Sequence, residues 1–252
     1  MPENILITGG MRGIGYHITD ALLEKGYRVC VLDIATDKLD YLREKGGENF
    51  QFFKCDITDF SEMNFFVEKI AHQWKSIDIL INNACKAIYK DFEYRREEEL
   101  KEEMEINYFG TVNLIRAVFP FMKRKGAGII HNVSSGISIC GFNRMSGYTS
   151  SKGAIEALTK TLSIEFKKYG ITVNIIHPPL TRTKSSSALG IPVEMMDNPE
   201  KVGRRIAEKV KSKKRYIFTD FKSAFFTKLM YLFPNFFGRF FSGMTEKYNL
   251  KK

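Results

Sequence analysis

The sequence predicts a doubly wound α/β fold, in which helices cover both faces of a parallel sheet of about seven strands. Short apolar runs typical of buried strands recur along the chain, and helical patterns of about ten or more residues separate them. Parallel strands need long crossovers of this kind. No internal repeat or low-complexity linker divides the 252 residues into further domains.

Glycines bound the first elements. The apolar run Ile5–Ile7 is followed by Gly9 and Gly10, and Gly26 ends the helix that follows. Strands are predicted near 5–7, 28–33, 50–54, 77–82, 128–134, 171–176 and 215–219. Helices are predicted near 13–25, 36–45, 60–74, 98–124, 147–169 and 199–213. We therefore assign residues 1–219 to a single domain and residues 220–252 to a C-terminal tail that is not a separate domain.

Charge is distributed unevenly along the chain. The formal net charge is +10, and residues 201–252 hold 14 Lys and Arg against 3 Asp and Glu. This distribution indicates a nearly neutral body with a basic tail. The four cysteines lack metal-ligand spacing, and the N-terminal sequence lacks the pattern of a signal peptide. We therefore expect reduced thiols, no metal site and a cytoplasmic location.

A glycine-rich segment, TGGMRGIG from Thr8 to Gly15, lies between the first strand and the first helix. Glycines at this point let the backbone approach a pyrophosphate, and the helix N-terminus offers unpaired N–H groups to an anion. A tight strand–helix turn without a ligand is the alternative. Asp33 ends the second strand, where an acid would bind the ribose hydroxyls, and this favours a Rossmann-like dinucleotide site.

The same acid bears on the choice of cofactor. A carboxylate at Asp33 repels a 2′-phosphate and favours NAD. Arg12 could instead pair with such a phosphate, so NADP stays open.

Further motifs resemble the short-chain dehydrogenase/reductase family in their order and spacing, from about Glu3 to Tyr216. They are the TGxxxGIG segment, Asp56-Ile57, Asn82-Asn83-Ala84, Asn107, Ser134-Ser135, Tyr148-xxx-Lys152 and the segment from Val173 to Pro178. Ser135 precedes Tyr148 by 13 residues and follows Asn107 by 28, as the family has them. Two positions depart from the pattern, because Cys85 and Pro179 each replace a usual glycine.

The resemblance implies an NAD(P)-dependent oxidoreductase that interconverts a ketone and a secondary alcohol. It assigns catalysis to Asn107, Ser135, Tyr148 and Lys152. It assigns cofactor binding to Gly9, Met11, Arg12, Gly13, Ile14, Gly15, Asp33, Asp56, Ile57, Asn83, Ala84, Tyr148, Lys152, Pro178, Leu180 and Thr183. It also implies a homodimer or homotetramer formed through the helices near 98–124 and 147–169.

The spacing of Tyr148 and Lys152 suits proton transfer. A free tyrosine has a pKa near 10, and a nearby cation favours the phenolate. Residues i and i+4 share one helix face, so both side chains can enter one site. Ser135 would hold the substrate oxygen, and the resemblance gives Asn107 a water relay from Lys152. Each residue alone also has an ordinary structural interpretation, and only the combination favours catalysis.

Two histidines have structural interpretations. His131 lies in the apolar fifth strand and is interpreted as a core residue. His177, at the end of the sixth strand, is either structural or a contact of cofactor or substrate.

The segments that choose the substrate are apolar. Residues 184–198 form a small lid that contains Leu189, Ile191, Met195 and Met196, which hints at an apolar, lipid-like substrate. Twelve aromatic residues, mixed with lysines, lie between Tyr216 and Tyr248, at the end of the domain and in the tail. The uncharged runs of the tail are shorter than the roughly 20 residues of a membrane span. Two short amphipathic helices broken at Pro234 fit better.

Two roles for this tail stay open. It could contact an anionic membrane through residues 220–248, or pack on the cleft or a second subunit. No nucleic-acid motif is present. The alternatives to a lipid-like substrate are a soluble sugar or polyol dehydrogenase and a non-catalytic nucleotide sensor on the same fold. A sensor is disfavoured because Tyr148 and Lys152 are both present.

Overall fold

The computed structural model describes residues 3–189 and 191–249, without the side chains of residues 188 and 246–249. Its described residues form one parallel sheet of seven strands in the order β3-β2-β1-β4-β5-β6-β7. The strands are β1 (Asn4–Thr8), β2 (Arg28–Asp33), β3 (Phe50–Lys54), β4 (Ile79–Asn82), β5 (Gly128–Val133), β6 (Ile171–His177) and β7 (Tyr216–Phe218). The predicted doubly wound fold is confirmed.

Ten helices connect and follow these strands in the described chain. They are α1 (Gly13–Glu24), α2 (Leu39–Gly46), α3 (Phe60–Trp74), α4 (Glu97–Met104), α5 (Gly110–Lys125), α6 (Ile137–Cys140), α7 (Ser146–Glu165), α8 (Pro199–Glu208), α9 (Phe221–Leu232) and α10 (Pro234–Asn249). The tail break predicted at Pro234 separates α9 from α10. Predicted tail residues 250–252 lie outside the described residues, as does Gly190 of the lid.

The sheet is buried on both faces, as a parallel sheet requires. Alternate residues of β1 point to opposite sides, so that Ile5 and Ile7 join one apolar cluster and Leu6 joins the other. The first cluster packs beneath α1 and α8, and the second packs beneath α3 and α5. Because helices cover both faces of the sheet, the strands are apolar at successive positions.

The prediction of a single regular helix over 98–124 is wrong, because the middle of this segment is not α-helical. Helix α4 passes through a π-helical turn at Glu105–Phe109 before α5 begins. Such turns are rare and concentrate at functional sites. Asn107 lies in the turn and bonds to backbone outside the helix, which gives the widened turn a tertiary cause that helical periodicity does not contain.

Helix α6 was not predicted from the sequence. It has four residues, too few for a periodic signal, and begins two residues after Ser135. Strand β5 ends at Val133, so Ser134 and Ser135 lie just beyond it.

Strand order reverses between β1 and β4, which are neighbours in the sheet. Crossovers from β1 lead towards β3, and those from β4 lead towards β7. The carboxyl ends of β1 and β4 therefore border a crevice, which is where open α/β sheets bind ligands.

Candidate functional site

The glycine-rich turn after β1 packs directly against the end of β4. Gly9 has φ +66, and a Cβ there would lie 2.8 Å from the Cα of Ala84. A Cβ on Gly15 would overlap the carbonyl oxygen of Gly9. Asn83 holds the turn from the other side, because its Nδ2 donates to the carbonyl oxygens of Gly9 at 2.9 Å and Thr8 at 3.1 Å. The glycines are therefore required by close backbone approach.

The N-terminus of α1 opens onto this crevice. Its first turn contains no acidic residue, and Arg12 at the cap position makes no side-chain capping bond. Thr183 lies across from it, with Cγ2 3.4 Å from the position that a Cβ on Gly13 would take. The N–H groups at a helix N-terminus lack partners within the helix, so the start of α1 fits the diphosphate of a dinucleotide.

Asp33 is part of the same wall. Its carboxylate accepts hydrogen bonds from the backbone N–H groups of Met11 and Ala35, each at 2.9 Å. Burial raises the pKa of Asp33, and these backbone hydrogen bonds oppose the shift. The neighbouring Arg12 guanidinium pairs with Asp37 at 2.7 Å.

Three predicted cofactor residues, Met11, Ile57 and Asp56, have side chains that are buried or hydrogen-bonded within the protein. Met11 is fully buried in the core, and its N–H is bound by Asp33. Ile57 is buried, and its side chain would meet a Cβ on Gly110 at 2.7 Å. Asp56 is exposed, and its Oδ1 accepts from Thr58 N at 2.9 Å.

The proton-transfer residues predicted from spacing come together beyond this crevice. Tyr148 and Lys152 lie on one face of α7, with the Lys152 ammonium 5.8 Å from the centre of the Tyr148 ring. The Ser135 side chain lies near the Tyr148 hydroxyl and acts to lower the Tyr148 pKa. Lys152 is buried and donates to the carbonyl oxygen of Val133 at 2.7 Å. Residues from two adjacent segments thus meet at the carboxyl end of β5.

Burial dominates the protonation of both groups. It raises the pKa of Tyr148, which the nearby Ser135 side chain opposes, and it lowers the pKa of Lys152. Burial therefore outweighs the opposing influence on Tyr148, and the expectation that Lys152 lowers the Tyr148 pKa stays a prediction. A positively charged nicotinamide in the site would favour the phenolate.

Asn107 lies one step away from this pair. Its Oδ1 accepts from the Lys86 N–H at 2.7 Å, and its Nδ2 donates to the Lys86 carbonyl oxygen at 2.8 Å and to Ser151 Oγ at 2.9 Å. Ser151 Oγ in turn donates to the Tyr148 carbonyl oxygen at 2.8 Å. The π-helical turn therefore ties the segment after β4 to α7.

The two departures from the family pattern border the site. Cys85 is exposed and lies close enough to Tyr148 and Lys152 to act on the pKa of both residues, in each case raising it. Pro178 and Pro179 are partly buried, and the carbonyl oxygen of Leu180, before the lid, accepts from the N–H of Asp197 at 2.8 Å. The structural interpretation of His131 agrees with its burial between Asn174 and the Val210 carbonyl oxygen.

Sequence reasoning missed a buried carboxylate on the same helix face. Glu156 lies four residues beyond Lys152, and its side chain is 6% exposed. Its carboxylate accepts hydrogen bonds from the hydroxyl groups of Ser134 at 2.8 Å and Tyr231 at 2.6 Å. The Nε2 atom of His177 lies 3.1 Å from Glu156 Oε1. The continued i+4 spacing from Tyr148 was the signal that could have found it.

The tail helices pack on the segment that follows Ser135. A Cβ on Gly136 would lie 2.9 Å from Met230 Cε, and Ser242 Oγ accepts from the Asn143 N–H at 3.0 Å. The sulfur atoms of Cys140 and Met230 are 3.9 Å apart. Helices α9 and α10 therefore form a wall beside Ser135.

The outer side of this wall is aromatic and basic. Eight large apolar side chains of the tail are exposed, among them Phe221 at 85%; the others are Phe225, Phe226, Tyr231, Leu232, Phe233, Phe236 and Phe240. Lys222, Lys228 and Arg239 lie between them, and residues 221–244 contain no Asp or Glu. We call these residues the aromatic face. No helix of the described chain is long and apolar enough to cross a membrane.

The crevice lies where the strand order reverses, and it fits a dinucleotide. With the Tyr148–Lys152 pair beyond it, this arrangement defines a dinucleotide-dependent oxidoreductase. Residues 3–192 match the family described as short chain dehydrogenase. The chain belongs to this family and is an NAD(P)-dependent enzyme, as the motifs predicted.

Three relatives illustrate the range of the family. An uncharacterized oxidoreductase of Thermotoga maritima is 31% identical over 83% of this chain and 83% of its own length. A fatty acyl-CoA reductase of Acinetobacter baylyi is 32% identical over 71% of this chain and 62% of its own length. A 3-oxoacyl-[acyl-carrier-protein] reductase of Staphylococcus epidermidis is 30% identical over 86% and 95%.

Solved structures share the fold at lower identity. A short-chain dehydrogenase from Streptomyces avermitilis superposes with a TM-score of 0.80 at 24% identity, covering 90% of this chain and 92% of that one. The protein ElxO, solved with NADP bound, gives 0.76 at 24% identity, covering 87% and 95%.

Proposed function

We propose that the enzyme interconverts a ketone and a secondary alcohol, with Tyr148 as the general acid and base. The observation that carries this proposal is the meeting of Tyr148, Lys152 and Ser135 beyond the glycine-rich turn. The cofactor supplies or accepts the hydride. Ser135 holds the substrate oxygen, and the Tyr148 hydroxyl delivers or removes its proton.

Lys152 has two tasks in this proposal. Its charge favours the Tyr148 phenolate during alcohol oxidation, and its ammonium donates to cofactor hydroxyls within reach. Asn107 supports both residues through Ser151, and a water relay along this path is part of the proposal.

The wall residues favour NAD over NADP. Asp33 faces the position of the adenosine ribose, and Asp37 already neutralises Arg12. A 2′-phosphate would meet these two carboxylates at a cost. We therefore expect a higher kcat/KM with NADH than with NADPH, and expect Asp33→Ser to shift the ratio towards NADPH by about tenfold, roughly 1.4 kcal/mol. A wild-type preference for NADPH would overturn this assignment.

The substrate is proposed to be apolar and lipid-like. Apolar side chains of α9 and α10 line the wall beside Ser135, with Met230 and Phe237 buried against the body. Two relatives are named as reductases with acyl substrates. Polar side chains on this wall such as Tyr231 and Ser242 are already hydrogen-bonded within the protein, which disfavours a soluble sugar or polyol substrate.

The reaction is tested by one substitution and a substrate screen. Carbonyls and alcohols are screened by nicotinamide absorbance, and Tyr148→Phe is then compared with wild type on the best substrate. Loss of the acid–base hydroxyl should lower kcat by about 10²- to 10⁴-fold while dinucleotide affinity is retained. Near-normal kcat in the variant would remove Tyr148 from its role, whereas no turnover of any screened compound by the wild type would favour the nucleotide-sensing alternative.

We also propose that this enzyme is cytoplasmic and attaches peripherally to anionic membranes through its aromatic face. Aromatic side chains insert at the headgroup boundary, and interleaved cations attract anionic lipids. Eight exposed apolar side chains, three cations and the lack of carboxylates over residues 221–244 support this partner. The inner sides of the same helices pack on the body, so packing and membrane contact are compatible.

Vesicle sedimentation tests the membrane proposal with the full chain. The triple variant Phe221→Ser, Phe225→Ser, Phe236→Ser should stay in the supernatant with phosphatidylglycerol vesicles, whereas wild type sediments. Phe65→Ser on α3 is the matched control, because Phe65 is also exposed and lies outside the tail. Equal recovery of wild type and triple variant in the supernatant would refute attachment.

Assembly into a homodimer or homotetramer is proposed through the helices of the α4–α5 and α7 region. Phe109 beside α5 is 44% exposed and Ile164 on α7 is 71% exposed, which suits a face covered by a second copy. Sedimentation equilibrium of wild type and Ile164→Glu tests this. A monomeric wild type would contradict it.

A further inference from the structure

Glu156 is a buried acid in a position that the reaction itself does not use. Its Oε1 accepts from Ser134 Oγ at 2.8 Å and from Ser138 Oγ at 3.4 Å, and its Oε2 accepts from Tyr231 OH at 2.6 Å. A buried carboxylate without partners is costly, and several donors offset this cost. The convergence of three hydroxyl groups on Glu156 therefore makes it a junction between segments.

Two of these hydroxyl groups flank the catalytic serine. Ser134 immediately precedes Ser135, and Ser138 Oγ also donates to the Ser135 carbonyl oxygen at 2.6 Å. Lys152, one turn before Glu156, holds the Val133 carbonyl oxygen. Helix α7 therefore holds the backbone on both sides of Ser135.

The third hydroxyl group belongs to the tail. Tyr231 is on α9, 75 residues from Glu156 in sequence, and hydrogen-bonds to Glu156 from the wall beside Ser135. Proximity to the Glu156 carboxylate and burial both raise the pKa of Tyr231, so its hydroxyl stays protonated and donates. The tail and the serine segment thus share one acceptor.

The remaining neighbour of the carboxylate is His177, whose Nε2 lies 3.1 Å from Glu156 Oε1. Burial lowers the pKa of His177, which Glu156 only partly opposes. Rings of Tyr216 and Phe218 stack beside His177. His177 therefore packs behind Glu156, and the sequence alternative of direct cofactor contact loses support.

We propose that Glu156 is a positioning residue, which couples docking of the tail through Tyr231 to the placement of Ser135. The proposal rests on the role of Ser135 proposed above. Substrate that pushes α9 outward would loosen the Ser134 and Ser138 contacts, and a docked α9 fixes them. Positioning of this kind acts on kcat and on substrate KM rather than on dinucleotide affinity.

The test compares Glu156→Gln and Tyr231→Phe with two matched controls. Glu165→Gln changes an exposed acid on the same helix, and Tyr169→Phe changes a tyrosine at the far end of that helix. Glu156→Gln should lower kcat about tenfold, because small displacements of catalytic groups are costly, while dinucleotide Kd stays unchanged. Tyr231→Phe should have a smaller effect on its own and almost none in the Glu156→Gln background.

A second measurement does not depend on turnover. Cys140 lies beneath Met230, so its alkylation rate, followed by peptide mass spectrometry, reports on tail docking. Both variants should increase this rate, and both controls should not. The proposal would be overturned if Glu156→Gln kept the wild-type kcat and only lowered the melting temperature. It would also be overturned if Cys140 alkylation were unchanged in both variants. Equal turnover of wild type and Tyr148→Phe would instead refute the proposed function, and the alkylation result would still decide the docking.

Discussion

The nucleotide half and the tail are attached to the sheet in different ways. In the first half, buried polar groups bind segments distant in sequence; Asn4, for example, bonds to Asp78, Ser76 and the Trp74 carbonyl oxygen. The tail contacts the body through α6 and Glu156 and leaves eight large apolar side chains exposed. The first region is specified by its internal contacts, whereas the second keeps a surface for something outside the chain.

This difference assigns the chemical reaction to the nucleotide half and the location of the protein in the cell to the tail. In the nucleotide half, backbone segments approach so closely at the glycine-rich turn that a Cβ on Gly9 or Gly15 would overlap its neighbours. The tail tolerates exposed aromatic residues that a core would not use. Substitutions in the nucleotide half should therefore change catalysis or folding. Substitutions on the aromatic face should change how the protein is distributed between membranes and solution.

The largest effect in the body is expected from Lys152→Met. Loss of the cation disfavours the Tyr148 phenolate and raises its apparent pKa, so the rising limb of alcohol oxidation should move to higher pH. At neutral pH the rate should fall by about 10²-fold. The pH profile of kcat measures this, and an unshifted limb would show that Lys152 does not act on Tyr148.

A smaller effect is expected at the glycine-rich turn. Gly15→Ala puts a Cβ against the Gly9 carbonyl oxygen and should cost about 1–3 kcal/mol of unfolding free energy and weaken dinucleotide binding. Gly243→Ala on α10 is the control, because no described atom beyond the local helix backbone lies within 4 Å of its Cβ. Urea unfolding and dinucleotide titration measure both. Equal behaviour of the two variants would erase the contrast between the regions.

The smallest effect is expected at the seam between α1 and α8. Hydrogen bonds from Arg204 and Lys45 lower the pKa of Glu24 from 4.5 to about 2. A lowered pKa means that this stabilisation is present above pH 4.5 and is lost as the pH falls towards 2. Arg204→Ala should therefore lower the melting temperature only slightly at neutral pH, because the pair is solvent-screened.

Melting temperatures measured from neutral to acid pH test this sign. The wild-type and Arg204→Ala values should converge as the solution becomes acidic. A difference that grows with acidity would contradict the assignment of this stabilisation to Glu24.

The sequence by itself determined the fold class, the seven strands and the spacing of Ser135, Tyr148 and Lys152. These are local properties, because strand runs, helix periodicity and the i+4 rule act over a few residues. Both helices of the tail and their break at Pro234 also follow from local pattern.

Only the tertiary structure decided which groups meet across long sequence distances. The π-helical turn depends on the Lys86 backbone, 21 residues from Asn107, and α6 is too short to have a period. The pairing of Glu156 with Tyr231 joins an ordinary helix acid to one of many tail aromatics. Such contacts are set by packing and burial, which composition and spacing do not encode.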